Sequence, residues 1–547
     1  MTAEAPGRAQ LARRAGVVSA AVLASRILGL VREQVFAVSF GAGKELDAFI
    51  TAFRIPNLLR DLFAEGALSA AFVTTFTQQL ERRGEPAAWR LASLVVNTLA
   101  AVVAPLCLLG IWFAPTITRA IAPGFAEVPG KLELTVHLTR IMFPFLLLVA
   151  LAAVAMGILN TKHRFGIPAA ASAFFNLGSI AGGLTCVAWL APGYLSDVLG
   201  AVRGTVMAPD PDLTARAITG MALGILVGGL LQLLVQLPSL RRVGYRYRPV
   251  MAPSDPALRQ VIRLMAPATI GAAAVQVNVF VNNNFASFLG NGPVSWLNVA
   301  FRFMQLPIGL FGVAIGTVTL PVVSRHAARG DADAMRASLR HALELIALLC
   351  IPAAAGLAWF GEPVIGLIYE HGRFTSADTT AAARALAGYA VGLAGYAGIK
   401  VLAPAFYALD EARTPMLVSV LSIAVNYALN WLFVRVLGFG ATGLALSTSL
   451  VALANCLILL ALLRRRLGPL GGGLGAALVR IGVATAVMLV AAVAVDDLLG
   501  AHLPARPVLQ HGFRVALVVP VAVAAFWAAC RSLGIPVPAL RRRVPSG

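Results

Sequence analysis

The sequence predicts an all-helical protein that crosses a membrane about fourteen times. Of its 547 residues, 59% are hydrophobic and only 12% are charged, whereas a soluble domain has about 25% charged residues. Apolar stretches recur along the chain, each near the roughly 20 residues that span a bilayer and each bounded by charge, glycine or proline. The predicted spans are 15–40, 46–80, 89–114, 132–160, 167–191, 217–240, 258–289, 294–324, 334–360, 378–408, 414–437, 440–463, 473–499 and 509–533.

The basic residues of the loops predict the orientation, because cytoplasmic loops are enriched in arginine and lysine. With the N-terminus inside, the inner loops and the two termini hold roughly 26 of the 44 basic residues and the outer loops roughly 8. The inner groups are Arg82–Arg83, Lys162–Arg164, Arg241–Arg263, Arg325–Arg340, Arg413 and Arg464–Arg466, and the outer ones are Lys44, Arg119, Lys131, Arg203, Arg216, Arg373, Arg435 and Arg506. We expect both termini in the cytoplasm and an uncleaved first helix.

Composition and motifs exclude several classes of protein. The net charge of +20 lies in short loops between apolar spans, so it is explained by the membrane, and no nucleic-acid partner is expected. The five cysteines fall singly inside apolar segments, which argues against a disulfide framework or a zinc site. The histidines are dispersed, and there is no phosphate-binding loop. We expect a transporter without a cofactor, driven by an ion gradient or the membrane potential, and not an enzyme.

A short internal sequence repeat predicts two halves that point the same way through the membrane. Ala52-Phe53-Arg54 recurs as Ala300-Phe301-Arg302 at an offset of 248 residues. Leu58, Leu62 and Phe63 recur at the same offset. Six spans per half is an even number, which is typical of parallel transporter repeats with the substrate site between the halves. The predicted domains are an N-lobe (1–240), a basic linker (241–257), a C-lobe (258–466), and the last two spans with the cytoplasmic tail (467–547).

Three arginines lie deep inside predicted spans, namely Arg26, Arg54 and Arg302. A charge at mid-membrane costs roughly 2.5–3.5 kcal/mol on insertion scales, so several such charges require a polar cavity. On a helix of 3.6 residues per turn, one face of the second span carries Asp47, Arg54, Asp61 and Glu65, with Arg60 to the side. In the first span Arg26 and Glu33 share a face, with Arg32 beside it. This pattern predicts two helices that each turn a charged stripe toward a common aqueous cavity. The arginines outnumber the acids, and their planar forks suit phosphate, so we expect an anionic, phosphorylated cargo. The alternative is that these charges reach the headgroups or pair structurally.

A second polar set suggests a cation site. Asn282, Asn283 and Asn284 interrupt the seventh span, and Asp410 ends the tenth. Amide and carboxylate oxygens from Asn282 and Asp410 could hold a hard cation such as sodium. The alternative, which we favour, is hydrogen bonding between helices for the asparagines and a solvated turn for Asp410.

Several segments resemble the MurJ (MviN) family of bacterial lipid II flippases, in the multidrug/oligosaccharidyl-lipid/polysaccharide exporter superfamily. The resemblance runs through nearly the whole chain and includes the fourteen spans. The matching segments are SRILGLVREQVFAVSFGAG (25–43), DAFITAFRIPNLLRDLFAEGALSAAFV (47–73), ILNTKHRFGIPA (158–169), NNNFASFL (282–289), SWLNVAFRFMQLPIG (295–309) and KVLAPAFYALDEARTP (400–415).

The resemblance implies two six-helix lobes forming a V around a cationic cavity, with the last two helices making a groove for a polyprenyl tail. Positions that match those associated with cavity function are Arg26, Arg32, Arg54, Arg60, Arg302, Asp47 and Glu65. Relatives can carry lysine at position 54. They carry acids where this chain has Phe301 and Gln305, and some have a sodium-site carboxylate where it has Asn282. These departures argue against a gating salt bridge beside Arg302 and against coupling to sodium.

The expected function is to flip lipid II from the cytoplasmic to the outer leaflet by alternating access, with the arginines on the pyrophosphate. Lipid II and the bacterial cytoplasmic membrane are the expected partners, with other cell-wall synthesis proteins as further candidates, and we expect a monomer. The alternatives are a flippase for another lipid-linked oligosaccharide of the O-antigen type or a drug/cation antiporter of the same superfamily. A drug-cation exporter would need an acidic cavity, and a membrane enzyme on polyprenyl phosphates would need clustered catalytic acids or histidines.

Overall fold

The computed structural model describes residues 8–60, 67–204, 210–500 and 507–536, and the regular secondary structure of these ranges is entirely helical. The first eleven helices are α1 (Arg8–Phe40), α2 (Lys44–Arg60), α3 (Ala67–Trp112), α4 (Ala114–Ile121), α5 (Lys131–Met142), α6 (Phe145–Thr161), α7 (Gly166–Leu190), α8 (Tyr194–Val202), α9 (Pro211–Leu234), α10 (Leu237–Arg242) and α11 (Pro256–Ser287). The others are α12 (Pro293–Pro307), α13 (Ala314–Ala328), α14 (Ala332–Tyr369), α15 (Ser376–Ala390), α16 (Leu393–Ala408), α17 (Arg413–Asn430), α18 (Gly440–Leu467), α19 (Leu474–Gly500) and α20 (Pro507–Ser532).

The prediction of a helical protein with many membrane spans is confirmed. Within the described ranges ten helical stretches are long and apolar enough to cross a bilayer, and α15 with α16, bent by 41° at their junction, brings the number to eleven. The predicted spans 15–40 and 258–289 coincide with α1 and α11 but are not among these. The predicted span 46–80 is not found as a stretch of its own either, since it falls on α2, on residues 61–66 outside the described ranges, and on the beginning of α3. The count of fourteen therefore remains a prediction.

Helix α3 contains the loop that the sequence predicts between the second and third spans. Its 46 residues would extend roughly 70 Å as one straight helix, more than twice the thickness of a hydrocarbon core. Gly84 breaks it, with φ 77° and ψ −178°, a conformation that glycine adopts without steric cost. The helices on the two sides of Gly84 can therefore serve as separate spans.

Packing divides the chain into two compact units, Met1–Ser295 with His371–Thr375, and Trp296–Glu370 with Ser376–Gly547. The first unit includes α11, which the sequence assigned to the C-lobe. The predicted domain boundaries come from the repeat in the sequence and remain a prediction. In the second unit, α19 and α20 pack along α14 through an apolar cluster that includes Leu348, Met488 and Phe526.

Glycines bring α7 and α9 into close contact in the first unit. A Cβ added at Gly224 would lie 2.5 Å from the Cα of Gly183, and one at Gly228 would lie 2.5 Å from the carbonyl oxygen of Phe175. Both obstacles are backbone atoms, which cannot move aside as a side chain would. Small residues at such crossings are the usual means by which membrane helices pack closely.

We expect Gly224→Val to lower the free energy of unfolding by about 1–3 kcal/mol, because it overpacks this crossing. The matched control is Gly482→Val in α19, where an added Cβ would meet no atom within 4 Å. Denaturant titration in detergent, followed by circular dichroism, measures both variants. Equal stability of the two would contradict the role assigned to the α7–α9 contact.

Loops that the sequence places on the inner side contact one another. Lys162 Nζ lies 2.6 Å from Glu85 Oε1 and 5.0 Å from the ring centroid of Trp89. The Trp89 ring in turn lies 5.7 Å from that of Tyr245. Three predicted inner loops therefore share one side of the first unit.

Candidate substrate-binding site

Arg26 lies on the exposed face of α1. The opposite side of this helix packs on α7, where Asn176 Nδ2 donates to the carbonyl oxygen of Ser25 at 3.0 Å. Leu23 and Ile27, which flank Arg26 on the exposed face, are themselves more than half exposed, at 59% and 54%. No ion pair or hydrogen bond joins the Arg26 guanidinium to any residue that the structure describes. Its charge is available to a ligand.

Arg32 and Glu33 pair with each other near the end of α1. Arg32 Nη2 lies 3.1 Å from Glu33 Oε1, and their side chains are only 12% and 16% exposed. The Arg32 guanidinium also lies 5.3 Å from the centroid of the Phe175 ring. Because the two charges offset each other, Arg32 adds less local positive charge than Arg26.

Arg54 connects α2 to the asparagine run of α11. Its Nη1 donates to Asn283 Oδ1 at 2.9 Å. Asn283 is buried, and its Nδ2 donates to the carbonyl oxygen of Ile121 at 3.4 Å. Asn284 Nδ2 donates to the carbonyl oxygen of Ala120 at 3.1 Å. These contacts agree with the alternative of hydrogen bonding between helices for Asn283 and Asn284.

The end of α2 is only partly described. Arg60 is the last residue of the helix and is half-buried. Asp61 and Glu65, which the sequence predicts as charges of the cavity, lie outside the described residues.

The structure contradicts the predicted position of Asp47 on a charged stripe facing an aqueous cavity. Its side chain is fully buried. Oδ2 accepts from Lys131 Nζ at 2.9 Å and from the backbone N–H of Gly292 at 2.7 Å. Oδ1 accepts from the backbone N–H and the hydroxyl of Ser295, at 2.9 and 2.7 Å. The carboxylate thus has four donors, which is how a protein stabilises a buried charge.

Lys131 is buried as well, whereas the sequence predicted an exposed charge in an outer loop. Its side chain is 0% exposed. Besides Asp47, its ammonium donates to the carbonyl oxygen of Gly290 at 2.8 Å and to Asn291 Oδ1 at 3.1 Å, and it lies 4.2 Å from the Phe125 ring centroid. All three ammonium protons therefore have acceptors. We call Asp47, Lys131 and residues 290–295 the buried ion-pair cluster.

A second anchor joins residues 371–375 to the rest of the first unit. Arg373 Nη1 donates to Tyr194 Oη at 2.8 Å, and the backbone N–H of Arg373 donates to the carbonyl oxygen of Val38 at 3.0 Å. The Tyr194 hydroxyl donates to the carbonyl oxygen of Ser39 at 2.7 Å. Burial raises the pKa of the Tyr194 phenol, so it remains a neutral donor at physiological pH.

One feature of the sequence could have singled out Lys131. Only four of the 44 basic residues are lysine. In a chain that uses arginine almost everywhere, a lysine marks a position that needs a compact ammonium with three donors. Arg373 carried no comparable signal, because its partner Tyr194 is 179 residues away in the chain.

Arg302 lies on α12 in the second unit, where it is half-buried. The neighbouring Phe301 ring is 5.7 Å from that of Tyr389 and nearly perpendicular to it. The Phe303 ring is 6.1 Å from that of Tyr369. Aromatic packing therefore fixes the backbone on both sides of Arg302. Its predicted role in binding remains a prediction.

The two predicted cation ligands lie in different units. Asn282 is half-buried on α11, and Asp410 is exposed in the turn after α16, with a positive φ of 59°. An exposed turn agrees with the alternative given for Asp410. Within the described ranges there is no group of three or more histidine, cysteine, aspartate or glutamate side chains that could hold a metal ion. The five cysteines are free thiols, and Cys107, Cys350 and Cys530 are buried.

Among the charged residues that the structure describes in α1 after Val17 and in α2 after Leu46, four are arginines and two are acids. The two acids, Glu33 and Asp47, lie beside Arg32 and Lys131, so neither offsets the charge of Arg26. A guanidinium that is exposed among apolar side chains can bind an anion with two parallel charge-assisted hydrogen bonds. Phosphate and carboxylate groups have the matching geometry.

Comparison with known proteins agrees with this chemistry. The family model "Lipid II flippase MurJ" matches residues 36–505. The lipid II flippase MurJ of Burkholderia cenocepacia is 37% identical over 453 residues, which are 82% of this chain and 83% of that protein. A probable lipid II flippase MurJ of Rhizobium meliloti is 33% identical over 546 residues, which cover 98% and 97% of the two chains.

Solved structures agree as well. One described as "Lipid II flippase MurJ, inward closed conformation" superimposes with a TM-score of 0.72 at 25% identity, covering 94% of this chain and 99% of that one. A multidrug resistance MATE transporter of the MOP superfamily, in an inward-facing conformation, has a TM-score of 0.66 at 14% identity and covers 82% of this chain and 95% of its own. The latter likeness concerns the fold alone. The prediction of a transporter, and not an enzyme, is confirmed, and the chain belongs to the lipid II flippase MurJ family.

Proposed function

We propose that this chain flips lipid II from the cytoplasmic to the outer leaflet by alternating access, with arginines binding the pyrophosphate. The observation that carries the proposal is Arg26, which is exposed and unpaired within the described residues. Facing hydrocarbon, it would cost several kcal/mol. Facing water, it offers a charge to an anionic headgroup. The names of the relatives support lipid II as that headgroup's source.

The repeat supports two lobes of six spans related by a two-fold axis along the membrane normal. Asp47 and Ser295 are separated by 248 residues, which is the offset of the internal sequence repeat. The Ser295 hydroxyl donates a hydrogen bond to Asp47 Oδ1 at 2.7 Å. Residues related by a two-fold axis can touch only where they lie close to that axis. The contact is therefore what we expect if spans two and eight are equivalent elements of two halves.

The cargo dictates the mechanism. A diphosphate carrying sugars and peptide cannot cross hydrocarbon unaided, so Arg26, Arg54 and Arg302 replace its hydration while the polyprenyl tail stays in the bilayer beside α19 and α20. A membrane potential that is negative inside favours outward movement of an anion by about 2.3 kcal/mol per charge per 100 mV. A counter-moving cation, sodium or a proton, resets the transporter.

The remaining assignments follow from the same proposal. The protein acts as a monomer in the bacterial cytoplasmic membrane, with both termini in the cytoplasm and access to other cell-wall synthesis proteins. Lipid II is its partner, and no nucleic acid is involved.

We expect the chain to restore growth to cells depleted of their own lipid II flippase, and Arg26→Ala to abolish this rescue. The matched control is Arg216→Ala, which removes an exposed arginine near the beginning of α9. Membrane levels of each variant, measured by immunoblot, exclude loss of the protein as the cause. Failure of the unaltered chain at normal levels would contradict the function. Full rescue by Arg26→Ala would contradict the site.

A further inference from the structure

Helix α10 and the segment that follows it line an open basic cavity of about 530 Å³. It lies at the end of a membrane-spanning stretch, since Pro211–Arg242 is one of the ten candidate spans. Both charged and apolar side chains line it. The lining residues are Leu237, Leu240, Arg241, Tyr245, Arg246 and Tyr247.

The wall of this cavity is held in place by hydrogen bonds to α3. Asn97 Nδ2 donates to the carbonyl oxygens of Arg248 and Val250, at 3.1 and 2.8 Å. Asn97 Oδ1 accepts from the Tyr247 hydroxyl at 2.7 Å. The Tyr245 ring packs on Trp89. A cavity whose walls are fixed beforehand loses little conformational entropy when a ligand binds.

The positive charge of the cavity is not neutralised by the protein. Residues 241–250 contain four arginines and no acid. The next acid along the chain, Asp255, lies 3.7 Å from Arg90, and Glu85 pairs with Lys162 at 2.6 Å. In the part of the chain that the structure describes, neither Arg241 nor Arg246 has an ion-pair partner.

These features define the occupant by its chemistry. Two arginine forks favour a phosphate group, and the volume falls in the range of pockets that hold a molecule larger than a phosphate ion. Leu237 and Leu240 supply an apolar wall at the end of the candidate span Pro211–Arg242. Basic pockets of this kind between membrane helices bind anionic lipid headgroups.

We propose that this cavity binds the phosphate headgroup of an anionic bilayer lipid, through Arg241 and Arg246. The site is separate from the one that carries the cargo in the proposed function. It belongs to the inner leaflet if the predicted orientation holds. The binding itself can be measured without either assumption.

The test is native mass spectrometry of the delipidated, full-length protein with added cardiolipin, phosphatidylglycerol or phosphatidylcholine. We expect the unaltered protein to retain the two anionic lipids, and Arg241→Gln/Arg246→Gln to weaken this retention about 30-fold, since each basic residue contributes about a fivefold effect. The matched control is Arg242→Gln/Arg248→Gln, which removes two arginines of the same segment that do not line the cavity. It should retain the anionic lipids, and both double variants should melt normally without added lipid.

Three results would overturn the proposal. Equal loss in the two double variants would indicate diffuse attraction to a basic surface and no site. Equal retention of phosphatidylcholine would exclude selection for net negative charge. Displacement of the lipid by inorganic phosphate at the same concentration would assign the cavity to a soluble phosphate.

Discussion

Replacing Lys131 with methionine is expected to lower the free energy of unfolding by about 3–5 kcal/mol. Lys131 and Asp47 are both fully buried and lie 2.9 Å apart. Removing the ammonium leaves the Asp47 carboxylate without a countercharge, although its donors from Gly292 and Ser295 remain. The carbonyl oxygen of Gly290 also loses its donor. Denaturant titration in detergent measures the change.

Two control variants test whether the loss of stability comes from the uncompensated buried charge or from any substitution of a lysine. Lys162→Met breaks an ion pair in which Glu85 is 58% exposed, and exposed pairs contribute only about 0–1 kcal/mol. The double variant Asp47→Asn/Lys131→Met removes both charges and should be more stable than Lys131→Met alone. If Lys131→Met and Lys162→Met were equally destabilising, or if the double variant were the less stable, the explanation by an uncompensated charge would be wrong.

Arg54→Gln is expected to slow lipid II flipping by about 10–100-fold, because a hydrogen bond to a charged group contributes roughly 1.5–3 kcal/mol. Arg54→Lys retains the charge and should retain most of the activity, as the lysine at this position in relatives implies. Flipping is measured in cells as the appearance of lipid II on the outer surface, normalised to the amount of protein in the membrane.

The variant Asn283→Ala tests whether Arg54 acts through its positive charge or through its hydrogen bond to α11. Arg54 donates to Asn283 Oδ1, so Arg54→Gln removes both a positive charge and a contact between α2 and α11. Asn283→Ala removes the contact and keeps the charge, and we expect it to cost less than Arg54→Gln. If Asn283→Ala were as harmful as Arg54→Gln, and Arg54→Lys were inactive as well, Arg54 would be a structural residue.

Properties written locally in the chain could be predicted from the sequence. Apolar runs of bilayer length gave the helical membrane class, and the loop ERRGEP gave the break that occurs at Gly84. Arg26 could be selected as a candidate binding residue because the cost of placing a charge in an apolar segment can be judged without knowledge of the fold.

Contacts between distant parts of the chain could not be predicted in this way. Helical periodicity placed Asp47 on the face of Arg54, but its partners Lys131 and Ser295 are 84 and 248 residues away. Hydropathy cannot distinguish a solvated lysine in a loop from a buried lysine at the beginning of a helix. The grouping of α11 with the first unit likewise depends on packing contacts, and the predicted lobe boundaries remain a prediction.

The most direct test of the central claim, that arginines including the exposed Arg26 carry an anionic lipid across the membrane, is transport by the purified chain in lipid vesicles. Lipid II and a lipid with the same polyprenyl tail but an uncharged headgroup are placed in one leaflet, and a membrane-impermeant reagent reports their arrival in the other. We expect the chain to move lipid II and not the uncharged lipid, and Arg26→Ala to stop this movement. Absence of lipid II transfer, or equal transfer of both lipids, would contradict the claim.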